Sequence, residues 1–327
     1  MGKKMGIAVA GTVIVDRINE IAAYPQSGEL TQIVSVQKAL GGCVPNVAMD
    51  LKRICPALSV RVFGRVGKDA DGEYVRRVLG EANIDISGLQ TDDGASTSFT
   101  EVMSVIGGQR TFFSYAGANA AFGKEDILFG DTLPDILHMG YFLLLQKIDK
   151  GDGVEILKAA KTKGVRTSID LVSENSDRYA LVKPCLPYTD YLVINELEAQ
   201  RLSGVPLREE NGALLEENLP AALKALKQMG VSAWVVIHCP EAGFGMDEKD
   251  VFYEVPSLKL PAGYIKGTVG AGDAFCAGIL YAAAMGKDMG WALKFGACTA
   301  AASLRAVGAS EGVSSAEEIE KLYEIYG

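Results

Sequence analysis

The sequence is poor in metal-binding side chains and lacks a long apolar run. Its 327 residues include two histidines and six cysteines, and no two cysteines form a Cys-x-x-Cys pair, so we expect no structural zinc site. Scattered cysteines in apolar surroundings are typical of small buried side chains. No segment has the ~18 apolar residues that span a bilayer, and the charged N-terminus leads into a short strand-like run instead of a signal peptide. We therefore expect a cytoplasmic protein with no membrane partner.

The chain also lacks an excess of basic residues. Lysine and arginine number 32 against 41 aspartates and glutamates, which gives a net charge of -9. A protein that binds duplex nucleic acid needs a basic surface to neutralise phosphates, so we expect no nucleic-acid partner. Backbone N–H groups can still bind a small anion without net positive charge. The length suits one domain, 1–327, and no internal repeat or linker divides it.

Strand-like and helix-like segments alternate along most of the chain. Ile7–Ala10, Val165–Ile169 and Tyr191–Ile194 are short apolar runs of the strand type. Segments such as Asn46–Ile54 and Val154–Lys163 have apolar residues at helical spacing. This rhythm predicts an α/β fold with a doubly wound, mostly parallel sheet and helices on both of its faces.

Two regions interrupt this rhythm, at about residues 12–40 and 96–116. Both contain β-branched and aromatic residues that alternate with polar ones, without a helical period. In the second region Ser98–Val105 alternates, and Gly107-Gly108 predicts a hairpin turn before Arg110–Phe113. We predict that the two insertions form a small separate β-sheet, which acts as a lid beside the large sheet.

The clearest chemical signal is a run of small residues before an apolar helix. Gly267–Phe275 places the small residues Gly270–Gly272 directly before Asp273, and an alanine-rich helix is predicted over Cys276–Met285. N–H groups at a helix start, together with the helix dipole, suit a phosphoryl group. An aspartate there stays charged at rest and can accept a proton from an attacking hydroxyl. The pattern is equally compatible with a tight helix entry in which Asp273 is an ordinary N-terminal charge.

Three ordered motifs resemble those of the ribokinase-like (PfkB) carbohydrate kinase family. Gly270–Asp273, followed by Phe275 and Gly278, is similar to the C-terminal signature of that family. Gly41–Ala48 is similar to its N-terminal signature, and Asn195–Glu198 looks like its Asn-x-x-Glu motif after a strand. The motifs extend across nearly the whole chain. The fold of the family, a large α/β domain with a small β lid, agrees with the prediction made above from periodicity.

The resemblance implies roles for the residues on the phosphate side. Asp273 would be the catalytic base. The anion hole would be formed by the N–H groups of Gly270, Ala271 and Gly272. Asn195 and Glu198 would organise the phosphates of ATP and Mg²⁺, with Glu198 acting through water, and Mg²⁺ does prefer oxygen ligands. Without the family, the simpler interpretation makes Asn195 a helix cap and places Glu198 on the first turn of that helix.

The resemblance also implies an acceptor site. Asp16 follows the strand-like run Thr12–Val15, and an aspartate at this place binds the acceptor hydroxyls in the family. Gly41 and Gly42 would let the backbone approach the sugar, and Asn46 would both donate and accept hydrogen bonds. The alternatives are a plain turn for the two glycines and a helix cap for Asn46.

Three further residues are candidates for contact with the acceptor. Arg110 in the lid and Asn119 just beyond it match acceptor contacts of related kinases, although Arg110 is equally compatible with a solvated strand position. Asp170 ends a predicted strand, where open α/β sheets bind their ligands. Many sugar kinases have an Asp-x-Asn-x-Arg pattern here, and its absence argues against fructose or ketodeoxygluconate as the acceptor.

The nucleotide side departs from the family pattern at two places. Gly267 stands where an aspartate often helps to hold a monovalent cation, so we expect no potassium activation. The usual Thr-x-Gly-x-x-Gly loop is His238–Gly243, in which Gly243 remains and Pro240 removes an N–H donor. His238 would contact a phosphate or cap its strand. The remaining nucleotide-side candidates are Thr268, Cys298 and Ala301, the last two in a segment that matches the small-residue wall near adenine.

These features predict a kinase that transfers the γ-phosphoryl group of ATP to a primary hydroxyl of a small carbohydrate, with Asp273 as the general base. A nucleoside kinase of the same fold remains an alternative, with Phe99, Phe113 or Tyr141 as a platform for the base. A catalytically silent sugar-binding regulator is a second alternative, because the nucleotide loop is altered. Lid strands in this family often pair between subunits, so we also expect a homodimer through the lid.

Overall fold

The computed structural model describes residues 6–105, 108–174 and 177–327. In this part of the chain, the strands in order are β1 Gly6–Gly11, β2 Ile14–Ile21, β3 Ile33–Gly41, β4 Ser59–Gly67, β5 Asp85–Asp92, β6 Phe99–Val105, β7 Arg110–Tyr115, β8 Ile136–Phe142, β9 Arg166–Leu171, β10 Tyr191–Asn195, β11 Trp234–His238, β12 Ala242–Met246 and β13 Phe252–Pro256. The α-helices are α1 Cys43–Ile54, α2 Ala70–Glu81, α3 Gly153–Thr162, α4 Glu196–Ser203, α5 Leu219–Gln228, α6 Ala271–Ala284, α7 Met289–Ser303 and α8 Ala316–Tyr326.

The large sheet has nine strands in the order β13-β12-β11-β10-β9-β8-β1-β4-β5. Every pairing from β5 to β11 is parallel, and only the hairpin strands β12 and β13 run antiparallel to their neighbours. The predicted doubly wound, mostly parallel sheet is therefore confirmed. The carboxyl ends of the parallel strands reach one edge, where ligands bind in folds of this type.

Each face of the large sheet carries its own hydrophobic core. Successive side chains of a strand point to opposite faces. Ile7 and Val9 of β1 accordingly join the core that includes residues of α1, α2, α6, α7 and α8. Ala8 and Ala10 of the same strand join the second core, which includes residues of α3, α4 and α5. Helices therefore cover both faces, as the sequence pattern predicted.

A second sheet of four strands, in the order β3-β2-β6-β7, forms the lid. Its strands come from the two regions, 12–40 and 96–116, that interrupt the α/β rhythm. Strand β2 pairs antiparallel with β3 and parallel with β6, and β6 pairs antiparallel with β7. Of the predicted turn at Gly107-Gly108, Gly107 lies outside the described residues, and Gly108 donates its N–H to the carbonyl of Val105 at 2.9 Å.

Two helices begin earlier than their sequence patterns predict. Helix α1 begins at Cys43 instead of Asn46, and α6 begins at Ala271 instead of Cys276. The preceding glycines, Gly42 with φ 86° and Gly270 with φ 77°, adopt the left-handed conformation that glycine allows. Because glycine is a poor helix former, a glycine-rich run predicts a loop, although here a helix begins directly after Gly42 and directly after Gly270.

Among the residues that the structure describes, no helix combines the length and the apolar character that crossing a membrane requires.

Candidate active site

A cavity of about 220 Å³ lies where the carboxyl ends of central strands meet the start of α6. Four strands bring one polar or aromatic side chain each to its wall. These side chains are Tyr141 from β8, Asp170 from β9, Asn195 from β10 and His238 from β11. The first turn of α6 closes the cavity with Gly270–Asp273. The topology thus assembles residues that are far apart in the sequence.

Asp273 lies in the first turn of α6 and is buried at this wall. Its Oδ2 accepts a hydrogen bond from Nδ2 of Asn46 at 2.8 Å and one from the hydroxyl of Tyr141 at 2.9 Å. Both partners are neutral donors, and both bonds use the same oxygen. The second oxygen, Oδ1, is not needed for either bond, so the carboxylate has an oxygen with which to accept a proton.

Burial raises the pKa of Asp273 to about 7, and the negative charge of Asp170 adds to the rise. The hydrogen bonds from Asn46 and Tyr141 lower this pKa, but less than burial raises it. The expectation that the helix start keeps Asp273 fully charged at rest is therefore wrong. A pKa near neutrality is nevertheless suited to a general base, which must release its proton after each transfer.

Tyr141 is a site residue whose role the sequence did not indicate. It was considered only as a platform for a nucleobase, whereas in the structure its hydroxyl donates to Asp273. Its backbone has φ 59°, an uncommon conformation for a bulky residue, and its N–H donates to Oδ1 of Asp170 at 2.5 Å. Neither the positive φ nor a contact across 132 residues has a local sequence signal.

The glycine turn before α6 has the geometry of an anion-binding site. The first helical hydrogen bond runs from the N–H of Ala274 to the carbonyl of Gly270 at 2.8 Å, so the amides of Gly272 and Asp273 precede it. The N–H of Ala271 makes only a long bond, 3.4 Å, to the carbonyl of Thr268. A Cβ on Gly270 would lie 2.5 Å from the carbonyl oxygen of Ala309, so this turn requires glycine.

Asn195 and Glu198 cap α4 and also line the cavity. Oδ1 of Asn195 accepts from the N–H of Glu198 at 2.9 Å, and Oε2 of Glu198 accepts from the N–H of Asn195 at 3.1 Å. Asn195 thus caps α4, as the alternative interpretation predicts, and both residues also lie at the cavity. Ser173, which the sequence analysis missed, donates its hydroxyl to Oε1 of Glu198 at 2.9 Å.

The oxygen-rich corner around Glu198 fits a magnesium ion held through water. Burial raises the pKa of Glu198 to about 7, and a nearby cation would favour its charged form. Asp170, Ser173 and Asn195 add further oxygen atoms along the same wall. Mg²⁺ takes oxygen ligands and keeps several waters, so this donor set suits it.

A larger cavity of about 650 Å³ adjoins the first one. The two share Asn195, His238, Thr268, Ala271 and Gly272 in their walls. Most of its other lining residues are apolar, among them Leu258, Leu260, Ile265, Ala297, Ala300, Ala301 and Leu304. Such a cavity has the size and apolar character of a site for a cofactor or nucleobase.

Cys298 does not line this cavity, in contrast to the sequence-based expectation. Ala297, Ala301 and Leu304 recur at helical spacing and form one face of α7 and its end. Cys298 follows Ala297 and is rotated by about 100° around the helix, which places it in the core instead. Ala301 lies at the cavity wall, as the resemblance implied.

The segment His238–Gly243 is the hairpin connection between β11 and β12. His238 pairs with Gly243 across the two antiparallel strands. Burial lowers the pKa of His238 to about 4, so its ring is neutral at pH 7, and the ring packs on Phe275 with centroids 5.0 Å apart. A Cβ on Gly243 would lie 3.2 Å from the Phe275 ring. His238 and Gly243 nevertheless both line the 650 Å³ cavity.

Gly267 is enclosed by main-chain oxygen atoms. A Cβ there would lie 2.8 Å from the carbonyl oxygen of Val307 and 2.9 Å from that of Ala306. An aspartate at this position would therefore require the 306–307 backbone to move. The expectation of no potassium activation stays a prediction.

The lid brings Asp16 and the glycine pair of the N-terminal motif together. Gly41 lies against the carboxylate of Asp16, where a Cβ would overlap that group. Burial raises the pKa of Asp16 to about 6, and a hydrogen bond from Thr100 opposes this rise. Gly42 packs against Thr12, whose Oγ1 accepts from the N–H of Cys43 at 3.1 Å. Gly41 thus leaves room for a carboxylate, and Gly42 shapes the start of α1.

Asn119 and Arg110 are not brought to the 220 Å³ cavity. The side chain of Asn119 is buried, accepts from the N–H of Val13 at 3.1 Å and donates to its carbonyl at 3.0 Å. Arg110 is exposed and pairs with Ser104 on β6. Asp16 pairs with Thr100 on the same strand, four residues from Ser104. Arg110 therefore lies about 13 Å from Asp16 in the direction of the strands.

A nucleotide-sized cavity, an adjoining anion-binding turn and a buried carboxylate with a free oxygen define a phosphotransferase that acts on a small hydroxyl compound. The comparisons with known proteins agree with this class. The model of the pfkB family carbohydrate kinases matches residues 6–316, so the chain belongs to this family. It is an ATP-dependent carbohydrate kinase.

Similar proteins bear names within the same class. A ribokinase of Arabidopsis thaliana is 26% identical over 322 residues, which cover 97% of this chain and 80% of the relative. The structure of Arabidopsis thaliana ribokinase complexed with ribose and ATP has a TM-score of 0.82 and 23% identity, with 97% and 98% of the two chains covered. The nucleoside kinase of Methanocaldococcus jannaschii has a TM-score of 0.78 and 21% identity, with 100% of both chains covered.

Proposed function

We propose that this chain phosphorylates a primary hydroxyl of a small sugar, with Asp273 as the general base and the α6 turn as the anion hole. The observation that carries the proposal is the place of Asp273. It lies beside the small residues that precede the first helical hydrogen bond, and it faces the same cavity. A sugar hydroxyl in that cavity would lose its proton to Asp273 as its oxygen attacks phosphorus.

The remaining residues position the reactants. Asn46 and Tyr141 hold Oδ2 of Asp273, which directs the other oxygen at the acceptor. The amides of Gly272 and Asp273 stabilise negative charge on the transferring group. The adenine of ATP would occupy the apolar cavity beside Ala301, and His238 would bound its phosphate end as a neutral ring. A magnesium ion near Glu198 would neutralise charge on the phosphates.

Asp16 supports a polyhydroxylated acceptor. Its carboxylate lies on β2 of the lid, in the space that the missing side chain of Gly41 leaves for it. A carboxylate can accept hydrogen bonds from two neighbouring hydroxyls of one sugar. A lid that carries such a group would close over the acceptor and exclude water from the transfer.

The test is release of ADP with an acceptor panel. Pentoses, hexoses, ketoses, sugar acids and nucleosides are each supplied with ATP and Mg²⁺, and the Asp273→Asn chain is the control. We expect ADP release with at least one sugar and none above background in the control. Release of ADP with nucleosides alone would mean that the acceptor is a nucleoside and not a sugar. No release with any acceptor would favour a silent sugar-binding protein, and a thermal shift with sugars would then identify the ligand.

We also propose that the lid mediates a homodimer. The lid exposes large apolar side chains that a monomer would leave in water, among them Val34, Val36, Phe112, Phe113 and Tyr115. Sedimentation equilibrium should give a dimer for the native chain and a monomer for Val36→Asp. A native chain that is monomeric at all concentrations would refute this assembly.

A further inference from the structure

Four side chains with metal-binding atoms meet behind the wall of the 220 Å³ cavity. Cys43 comes from α1, His138 from β8, Asp170 from β9 and Cys276 from α6. The ligand atoms of the first three lie within 4.8 Å of one another, and all three residues are buried. Sγ of Cys276 lies 3.8 Å from Nε2 of His138. The proposed transfer reaction uses neither thiol and does not use the imidazole.

The spacing of these atoms is close to that of a tetrahedral metal site. Zinc bonds of about 2.0–2.1 Å to nitrogen or oxygen and about 2.3 Å to sulfur place neighbouring ligand atoms about 3.3–3.6 Å apart. Nε2 of His138 lies 3.4 Å from Oδ2 of Asp170 and 3.8 Å from Sγ of Cys276. Cys276 is not part of the group whose ligand atoms all lie within 4.8 Å of one another, so its thiol would have to move further than the other three ligands to complete the site.

The surroundings hold the ligands in suitable orientations. Nδ1 of His138 lies 3.0 Å from Oγ of Ser168, a contact that leaves Nε2 as the atom that faces Asp170 and Cys276. A histidine that binds a metal through one ring nitrogen usually makes a hydrogen bond through the other. Oδ1 of Asp170 is held by the N–H of Tyr141, so Oδ2 faces the histidine. Gly140 leaves room for the thiol of Cys43, which a Cβ there would overlap.

An ion can reach the site without adding charge to the interior. Asp170 and Cys276 line the cavity, so they connect the buried group with the opening that the substrates use. A divalent ion that binds two thiols displaces their two protons to solvent. Because two positive charges replace two protons, the net charge of the buried cluster does not change. This balance avoids the large cost of burying an uncompensated ion.

In contrast to the expectation from the sequence that the chain has no structural zinc site, we propose that Cys43, His138, Asp170 and Cys276 bind one thiophilic divalent ion of the zinc class. The ligands come from two helices on one face of the large sheet and from two of its central strands, so the ion would link α1 and α6 to β8 and β9. This site shares Asp170 with the oxygen-rich corner near Glu198, but that corner lacks sulfur and suits Mg²⁺.

The test is titration of the reduced full-length chain with Co²⁺ alone, without ATP or Mg²⁺. Four-coordinate Co²⁺ with thiolate ligands gives strong visible bands and a near-ultraviolet thiolate-to-metal band. We expect one Co²⁺ per chain and complete displacement by Zn²⁺. Cys43→Ser and Cys276→Ser should each reduce the near-ultraviolet band by about half, and the double variant should abolish it. Binding is measured without turnover, so the result is independent of the proposed phosphoryl transfer.

Cys55→Ser is the matched control, because Cys55 is outside the cluster and partly exposed. Its band should equal that of the native chain. A native chain without the thiolate band, or a band that persists in the double variant or disappears in Cys55→Ser, would overturn the proposal. X-ray absorption of the Zn²⁺-loaded native chain provides a measurement that no variant's folding can affect. It should show two sulfur and two nitrogen or oxygen neighbours, and a shell without sulfur would be equally decisive against the site.

Discussion

At the scale of single residues, Asp273 serves the proposed reaction but lowers the stability of the folded protein. The proposed reaction requires an ionised carboxylate, but burial raises the pKa of Asp273 from 3.8 to about 7. Each pKa unit corresponds to about 1.4 kcal/mol between the two protonation states, so the charged form costs up to about 4 kcal/mol of folding free energy. Active sites commonly carry such destabilising groups.

Asp273→Asn should separate activity from stability. Loss of the base should lower kcat by about 10²–10⁴-fold, because the amide cannot accept the proton. At pH 8 the variant should unfold at higher denaturant concentration than the native chain, since it buries no charge there, and the difference should shrink towards pH 5. Steady-state kinetics and urea unfolding measure the two effects. Asp93→Asn removes an exposed carboxylate as a control. Near-native turnover of Asp273→Asn would exclude the mechanism.

Tyr141→Phe tests the hydroxyl that holds Asp273. The hydrogen bond from this hydroxyl lowers the pKa of Asp273, so its removal should raise that pKa. The rising limb of kcat/KM against pH should therefore lie near pH 7 in the native chain and at higher pH in the variant. Activity at pH 7 should fall several-fold and recover in part at pH 9. A uniform loss at every pH would mean that Tyr141 only supports packing.

At the scale of elements, the start of α6 is the part of the site that local sequence specifies best. The small residues before Asp273 are contiguous, and Gly270 has the positive φ that only glycine adopts easily. A Cβ there would also approach the carbonyl of Ala309, so the shape of this turn depends on the loop that follows α7. The local sequence therefore specifies which residues form the turn, whereas a tertiary contact decides its exact geometry.

Gly270→Ala and Gly286→Ala form a matched pair at the two ends of α6. Both glycines have positive φ, 77° and 66°, so alanine should cost about 1 kcal/mol in unfolding free energy at Gly286 and more at Gly270, where the added Cβ also meets main-chain atoms. The space at Gly286 is open, whereas a Cβ at Gly270 meets Ala309 at 2.5 Å. We expect Gly270→Ala alone to lower kcat, by at least about tenfold. Equal kinetics of the two variants would argue against the anion hole.

At the scale of the whole molecule, buried carboxyls make stability depend on pH. Asp273 and Glu198 have folded pKa values of about 7, above their values in an unfolded chain. Between pH 6 and 8 the unfolded chain has already lost these protons, while the folded protein still releases them. The folded state thus binds more protons, and stability falls as pH rises.

The expected loss is about 1.4 kcal/mol per group between pH 6 and 8, or about 3 kcal/mol together. Urea unfolding at pH 6, 7 and 8 should show it as a falling midpoint. The double variant Asp273→Asn/Glu198→Gln should have a nearly flat profile. A native chain whose stability rises over this range would contradict the assigned protonation of both carboxyls.

Much of this molecule follows from local pattern. The period of apolar residues predicted the α/β layers, and the alternation in 12–40 and 96–116 predicted the lid sheet. The Asn195–Glu198 cap was also visible, because it needs only four consecutive residues. The error at Cys298 has a physical reason. Composition predicts a small-residue helix but not which of its faces meets the cavity.

What the sequence by itself determined is therefore the order of elements, the glycine turn before α6 and the candidate base that follows it. The tertiary structure alone decided which distant groups touch that base. Asn46 and Tyr141 reach Asp273 across 227 and 132 residues, and burial then set its pKa. The tertiary structure also left Arg110 at the far end of the lid and gathered Cys43, His138 and Asp170 into one cluster, with Cys276 beside His138. The reason is that periodicity reports on neighbours along the chain, whereas contacts, burial and charge depend on how the layers pack.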